Sequence, residues 1–446
     1  MKNYKYVLFL LLSLLVVACS DDDSGSSITG TRRTIMVYFN AENNLYESAN
    51  EDFEEIVEGS KNLSADCDLL VFLDNLNKPV IYKVKNGEKE ILKSYDTDID
   101  ASDKDNMLEV FNTMIAACPA DEYATVFWGH GDGPIIVNES NSLDISTEDN
   151  EPNAYGADSN TNSDYYYNTT WIDIPVLAKV MKQLPKQEFI FFDACCMQNI
   201  EVAYELRNCT KYLVGATCET PSFGAPYKTT TKYFGYSDVE SACKMIVDDY
   251  QGNNNQWESW NGINYRKRFK INNVCMSVIK TAETEYLLTA TKDALNTISG
   301  SNPLEVSTTF PIDSHEATSC IYYYKTDGSR YGSPILYDMN DVMLHNLSAT
   351  DYSKWKAALD KVVIYRPNTG DIRDTGNCDW FGGEANISAM MMTTDDFRSF
   401  YLSDETFGGV SMFFPKSEYN SNYPNMNTRM YDYEWCREVG WKDLGW

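Results

Sequence analysis

Two stretches of the chain pair a reactive side chain with the end of an apolar run. Glu188 to Arg207 reads EFIFFDACCMQNIEVAYELR, in which Phe189, Ile190, Phe191 and Phe192 lead into Asp193-Ala194-Cys195-Cys196. Upstream, Thr125-Val126-Phe127-Trp128 leads into Gly129-His130-Gly131-Asp132-Gly133. A short run that is apolar on both sides suits a buried parallel strand whose carboxyl end opens onto a cleft. Two neighbouring strand ends of this kind would present a thiol and an imidazole together. A thiol that can become thiolate, an imidazole that exchanges protons, and fixed N–H donors for a tetrahedral oxyanion are the parts of a cysteine hydrolase.

The chain contains three histidines. His315 lies in Asp313-Ser314-His315-Glu316 and His345 in a helical context, whereas Gly129 and Gly131 flank His130 and keep its backbone close to whatever stands in front of it. His130 is therefore the candidate base, the alternative being a satisfied loop histidine at a strand end. Cys195 and Cys196 compete for the role of nucleophile. One backbone step turns their side chains in different directions, so only one can face the cleft. Cys195 is expected to be that one and Cys196 to be a small buried residue. The alternative for Cys195 is a structural thiol.

The elements that must hold these residues alternate along the chain. Strands are expected over Thr34 to Phe39, Asp68 to Leu73, Ala124 to Trp128, Phe189 to Phe192, Tyr212 to Ala216 and Val274 to Ile279. Helices are expected over Tyr46 to Glu58, Asp103 to Ala117, Ile174 to Leu184, Asn199 to Arg207 and Ala282 to Ile298. Val80 to Val84 and Lys89 to Leu92 flank Asn86-Gly87, the turn of a hairpin. This alternation predicts an α/β fold with a largely parallel sheet covered on both faces. Asn138 to Thr170 is polar and acidic, and a stretch so long without periodicity predicts a functional loop, an insertion or local disorder. From Gly300 the pattern changes after Ser301-Asn302-Pro303. A smaller carboxy-terminal part, 301–446, is expected to pack on the sheet, with elements over Asp338 to Leu347, Tyr352 to Val362 and Val410 to Pro415.

With 446 residues and 43% hydrophobic content the chain can bury a sizeable core. Met1 to Ala18 carries Lys2 and Lys5, then the apolar run Val7 to Val17, a secretory signal too short for a permanent membrane span. Ser20-Asp21-Asp22-Asp23 and the Ser/Gly stretch to Gly30 read as a solvated tether. The formal charge is -29, and loss of Lys2 and Lys5 makes it more negative still. So acidic a surface argues against nucleic acid and anionic lipid headgroups as partners; it favours basic peptides, or serves solubility alone. The twelve cysteines show no CxxC pair and no zinc-like cluster, so disulfide connectivity cannot be read from their spacing. Cys118 and Cys275 are expected as small buried hydrophobes.

Val16-Val17-Ala18-Cys19 resembles the lipobox of bacterial lipoproteins. That resemblance implies removal of residues 1–18, acylation of Cys19, a tether over 19–33 and a protein held on the cell envelope, at the outer membrane. Further residues resemble the clostripain-like cysteine peptidases, in the clan that also holds caspases and gingipains. They are Thr34-Ile35-Met36-Val37-Tyr38 through Asn43-Asn44-Leu45, the pair His130-Gly131, Asp193-Ala194-Cys195, Ile200 to Leu206, Gly224 with Pro226 and Tyr227, and Gly409 to Pro415. The similarity runs from Thr34 to Pro415. It implies a caspase-like three-layer α/β sandwich with a mostly parallel sheet over 34–300, cleaving peptide bonds after Arg or Lys.

Carried over by position, Cys195 is the nucleophile, His130 the general acid/base, and the N–H groups of Gly131 and Cys195 the oxyanion hole. Asp193 falls where the family places a carboxylate of the specificity pocket, which would pair with a substrate Arg or Lys; it could instead cap the helix that follows. Relatives also carry acidic pocket residues within Val214 to Thr220, where this chain has Thr217 and Cys218, with Glu219 displaced by one. Many relatives mature by cutting themselves between the histidine and cysteine segments. No Lys or Arg lies between His130 and Lys179, so an uncut or differently activated chain is expected. Calcium supports some relatives, and Asp144 to Glu151 with Asp158 are the carboxylates that could bind it, although their spacing matches no ordered calcium loop. No metal ligand set is assigned and no cofactor is required. Two functions follow: an envelope-anchored, monomeric cysteine endopeptidase with an acyl-enzyme intermediate, or a catalytically silent lipoprotein that binds basic peptides.

Overall fold

Arg33–Asn40 and Cys67–Asp74 are buried at every position, the signature of strands covered on both faces. The computed structural model describes residues 33–134, 155–159, 169–218, 220, 222–252, 273–298, 322–325, 334–366, 380–381, 405–415 and 426–440. Its strands are β1 (Arg33–Asn40), β2 (Cys67–Asp74), β3 (Val80–Lys85), β4 (Glu88–Ser94), β5 (Glu122–Gly129), β6 (Tyr155–Asp158), β7 (Thr170–Ile172), β8 (Gln187–Asp193), β9 (Thr210–Ala216), β10 (Asn273–Val274), β11 (Met276–Lys280), β12 (Tyr322–Lys325), β13 (Pro334–Asp338), β14 (Val363–Tyr365), β15 (Trp380–Phe381) and β16 (Ser411–Phe413). The helices that matter below are α1 (Tyr46–Gly59), α2 (Lys104–Ala117), α3 (Ile174–Met181), α4 (Ile200–Glu205), α5 (Tyr227–Thr230), α6 (Val239–Gly252), α7 (Thr284–Thr297), α8 (Met339–Asn346) and α9 (Ala349–Val362).

Nine strands form the main sheet in the order β14-β11-β9-β8-β5-β1-β2-β3-β4. Its centre, β9-β8-β5-β1-β2, is parallel throughout. Both margins are antiparallel: β3 and β4 on one side, β11 and β14 on the other. Alternate side chains of the central strands enter two cores. Met36, Tyr38, Phe127, Ile190 and Phe192 pack with α2, α3, α4, α7 and α9, and Ile35, Val37, Trp128, Phe189 and Phe191 with α1, α5 and α6. The protein is thus a mixed α/β sandwich with a large sheet between two helical layers.

Local chemistry accounts for many of the boundaries. The side chain of Asp103 accepts from the N–H groups of Asp105 and Asn106 and starts α2. Asn86 and Gly87 both have positive φ, 53° and 83°, as the two-residue turn between β3 and β4 requires. Cys118 and Cys275 are buried among apolar side chains, one in each core. The expected last strand of the sheet, Val274 to Ile279, is divided: Val274 ends β10, which pairs with β15 in a separate sheet, and Met276 to Ile279 lie in β11, which is not the edge. It runs antiparallel to β9, and β14, from beyond residue 300, pairs outside it. Among the described residues no helix is long and apolar enough to cross a membrane.

Candidate active site

β5 and β8 are parallel neighbours, with Trp128 opposite Asp193, so His130 and Cys195 stand two residues beyond matched positions. Gly129 has φ 146°, and a Cβ there would lie 2.7 Å from the carbonyl oxygen of Asn40 at the end of β1. No other residue fits so easily. At Gly131 a Cβ would lie 2.7 Å from the Cys195 carbonyl oxygen and 3.1 Å from side-chain atoms of Ala194 and Met197. The histidine loop therefore lies directly against the cysteine turn, and two glycines allow the approach.

The turn also separates the two thiols. Cys196 adopts φ 59°, a left-handed conformation uncommon outside glycine, and its N–H donates to the carbonyl of Cys218 at 2.9 Å. Its side chain is fully buried, whereas Cys195 keeps partial exposure. The N–H of Thr220 donates to Cys195 Sγ at 3.2 Å, a bond that a thiolate accepts more strongly than a thiol.

His130 is held from its far side. Its Nε2 lies 2.8 Å from Oδ1 of Asn44, in the loop after β1, and its carbonyl accepts from the N–H of Gly156 at 3.0 Å. The Trp171 ring stands 6.2 Å away, centre to centre. With Nε2–H donating to Asn44, the lone pair of the neutral ring is on Nδ1. His130 is half-buried as a residue, and the loss of water around its ring pushes the imidazole down to about 4, so it is uncharged at neutral pH.

The model of the clostripain family matches residues 37–445. The chain belongs to the clostripain family. It is accordingly a cysteine peptidase, and clostripain-family structures share its fold. A secreted C11 cysteine protease from Bacteroides thetaiotaomicron, solved with an irreversible peptide inhibitor, is 23% identical with a TM-score of 0.64, covering 92% of this chain and 99% of its own. An inactive zymogen C11 protease from Parabacteroides distasonis is 20% identical with a TM-score of 0.63, covering 93% and 99%. The sheet and its two helical layers are thereby the caspase-like architecture of the clostripain family. No curated protein matches this chain.

Within this clostripain-family framework, Asp193 is buried and already well bonded. Its Oδ2 accepts from the Ala225 N–H and the Tyr227 hydroxyl, each at 2.7 Å, and its Oδ1 from the Tyr250 hydroxyl at 3.1 Å. Burial raises the carboxyl to about 6 in spite of these donors. Asp193 does not cap the next helix: α4 starts at Ile200, and Asn199 accepts from the Glu201 N–H. Asp52, on α1, accepts from Trp128 Nε1 at 2.7 Å and is also buried, its pKa raised first by burial and then by Asp193. A Cβ on Gly224, where φ is 58°, would collide with both carboxylates. Glu219, Cys19, His315 and the carboxylates Asp144 to Glu151 lie outside the described residues.

Asn44, Thr220 and Asp52 were not assigned roles from the sequence. Asn44 belongs to the opening Asn43-Asn44-Leu45 stretch, which hinted at it. Nothing in the spacing of Asp52 or Thr220 connects either to the site, because both arrive through tertiary contacts.

Proposed function

We propose that the chain is an exported cysteine endopeptidase that uses a Cys195–His130 dyad to cleave after Arg or Lys. The observation that carries it is the seating of the His130–Gly133 loop on the Ala194–Met197 turn, with only one of the two adjacent thiols exposed. Cys195 Sγ attacks the scissile carbonyl carbon and His130 takes the thiol proton. His130 then returns that proton to the leaving amine as the C–N bond breaks, which leaves a thioester. Water, deprotonated by His130, hydrolyses the thioester and frees the acid product and Cys195. The N–H groups of Gly131 and Cys195 are assigned as the donors to the oxyanion. The chemistry itself needs no cofactor.

A preference for basic residues is supported by Asp52 and Asp193, two buried carboxylates that neither lysine nor arginine pairs with among the described residues. A substrate cation beside them would favour their ionised forms. Export and acylation at Cys19 rest on the amino-terminal residues, and the absence of Lys and Arg from 131 to 178 supports an enzyme that acts uncut.

The test is hydrolysis of fluorogenic peptides ending in Arg, Lys, Leu or Asp. Cys195→Ala and His130→Ala should abolish turnover while Cys196→Ala retains it in proportion to folded protein. Activity that survives Cys195→Ala and is lost with Cys196→Ala overturns the nucleophile. Equal rates on Leu and Arg peptides overturn the specificity.

A further inference from the structure

Nine cysteines lie among the described residues, all as free thiols, and every one except Cys195 is buried. Several face other groups: Cys67 Sγ donates to Asp66 Oδ1 at 3.7 Å, Cys209 Sγ to the Ala178 carbonyl at 3.7 Å, and Cys436 Sγ to Glu201 Oε1 at 3.8 Å. Two face each other. Cys218, two residues past β9, and Cys275, the residue before β11, have their thiols in hydrogen-bonding contact.

The sheet brings this pair together. β9 and β11 are antiparallel with Ala216 opposite Met276, and the ladder continues one step beyond both, where the Thr217 N–H donates to the Cys275 carbonyl at 2.8 Å. Cys218 follows directly. Both side chains are fully buried in the core that packs with α1, α5 and α6. Cys196, whose N–H reaches the Cys218 carbonyl, has its side chain in the opposite core and does not compete for the Cys218 thiol.

A bond between two thiols is weak, because S–H is a poor donor and sulfur a poor acceptor. As small hydrophobes the two residues gain little from meeting; their covalent chemistry is what the meeting makes available. Facing residues of antiparallel neighbours have Cα atoms about 4.5–5.5 Å apart, and disulfides span about 4.4–6.8 Å. With the sulfurs already in contact, closure asks for side-chain rotation and not for displacement of β9 or β11.

We propose that Cys218 and Cys275 form a structural disulfide in the exported enzyme. This rests on the reading that the chain leaves the cytoplasm, since a reducing compartment would keep both as thiols. The oxidant is another disulfide, of a small molecule or a protein. The Cys218 thiolate attacks it, forming a mixed disulfide and releasing one thiol; the Cys275 thiolate then attacks the Cys218 sulfur, closing the bridge and releasing the second. The two cysteine protons end on the released thiols, and two electrons pass to the oxidant. Burial, with Cys218 beside it, holds the Cys275 thiol well above its ordinary pKa, so closure belongs to folding, before the core excludes water. The bridge would fasten the segment that meets both vicinal cysteines: the Cys218 carbonyl receives the Cys196 N–H at 2.9 Å, and the Thr220 N–H donates to Cys195 Sγ at 3.2 Å.

The test equilibrates the purified full chain in dilute urea with mixtures of reduced and oxidised glutathione, blocks free thiols with N-ethylmaleimide, and digests without reduction for mass spectrometry. The redox buffer stands in for the compartment, so the outcome depends neither on export by the native leader nor on peptidase activity. With the two forms at equal concentration, about nine-tenths or more of the chains should yield the Cys218 and Cys275 peptides as one linked species. Reduction with a phosphine should then lower the melting temperature of the parent by several degrees and leave those of Cys218→Ala and Cys275→Ala unmoved. If one variant does not fold, the other carries the comparison. Unlinked peptides under oxidising conditions, a link from either residue to a third cysteine, or an equal response to the phosphine in parent and folded variant would each overturn the proposal.

Discussion

At the scale of single residues, the imidazole of His130 is controlled by what stands behind it. An amide oxygen on Nε2 orients the ring without adding charge, and a burial-lowered pKa of about 4 leaves the ring neutral at physiological pH. A resting thiol and neutral imidazole are therefore expected, with proton transfer during attack. The acid limb of kcat/KM should accordingly lie below pH 6. Asn44→Asp would place a carboxylate on Nε2, favour the charged ring and move that limb upward by about one unit. Asn44→Ala should lower kcat about tenfold or more with little change in KM, since the ring loses its orientation and not its substrate contacts. A pH–rate profile of the three proteins checks this, and an acid limb that stays put in Asn44→Asp would refute the role of Asn44.

At the scale of elements, a short helix behind the sheet carries a buried titratable group. Glu201, on α4, is fully buried, accepts from the Phe413 N–H at 3.2 Å, and is raised to about 8 chiefly by desolvation. A carboxyl whose folded pKa exceeds its unfolded value contributes stability that is complete below the unfolded pKa, near 4.5, and is lost as pH rises through about 8. Glu201→Gln keeps the shape and removes the titration. It should match the parent at pH 4 in urea unfolding and exceed it at pH 9; a gap independent of pH would contradict desolvation of the carboxylate as the cause. Elements with strong local chemistry were legible beforehand: the Asp103-capped α2, the Asn86-Gly87 hairpin, and the apolar β5 and β8. β14 was not. A three-residue strand has too little sequence to show a period, and its place outside β11 depends on packing contacts more than eighty residues away from β11.

At the scale of the whole molecule, the chain carries a charge of -29 in addition to the buried Asp52 and Asp193 behind the cysteine strand. Field from the acidic surface should raise the local concentration of cationic peptides, and salt should screen it. The value of kcat/KM for an Arg-terminated peptide is expected to fall severalfold between about 0.02 and 0.5 M salt, while that for a neutral peptide stays nearly constant. Parallel salt titrations of the two peptides measure this, and identical slopes would count against steering.

Much of the chemistry was determined by the chain alone. A thiol and a glycine-flanked histidine each follow a two-sided apolar run, and only strands inside a parallel sheet need such runs, so both residues had to emerge at strand ends. Tertiary structure decided which thiol is accessible, because the left-handed turn at Cys196 depends on its contact with Cys218. It also decided that Asn44 meets His130, that Thr220 meets Cys195, that Asp52 lies near Asp193, and that Glu42, Asp74 and Asp158 meet. Those residues lie on separate strands and loops, and their proximity comes from strand order, which no local pattern encodes.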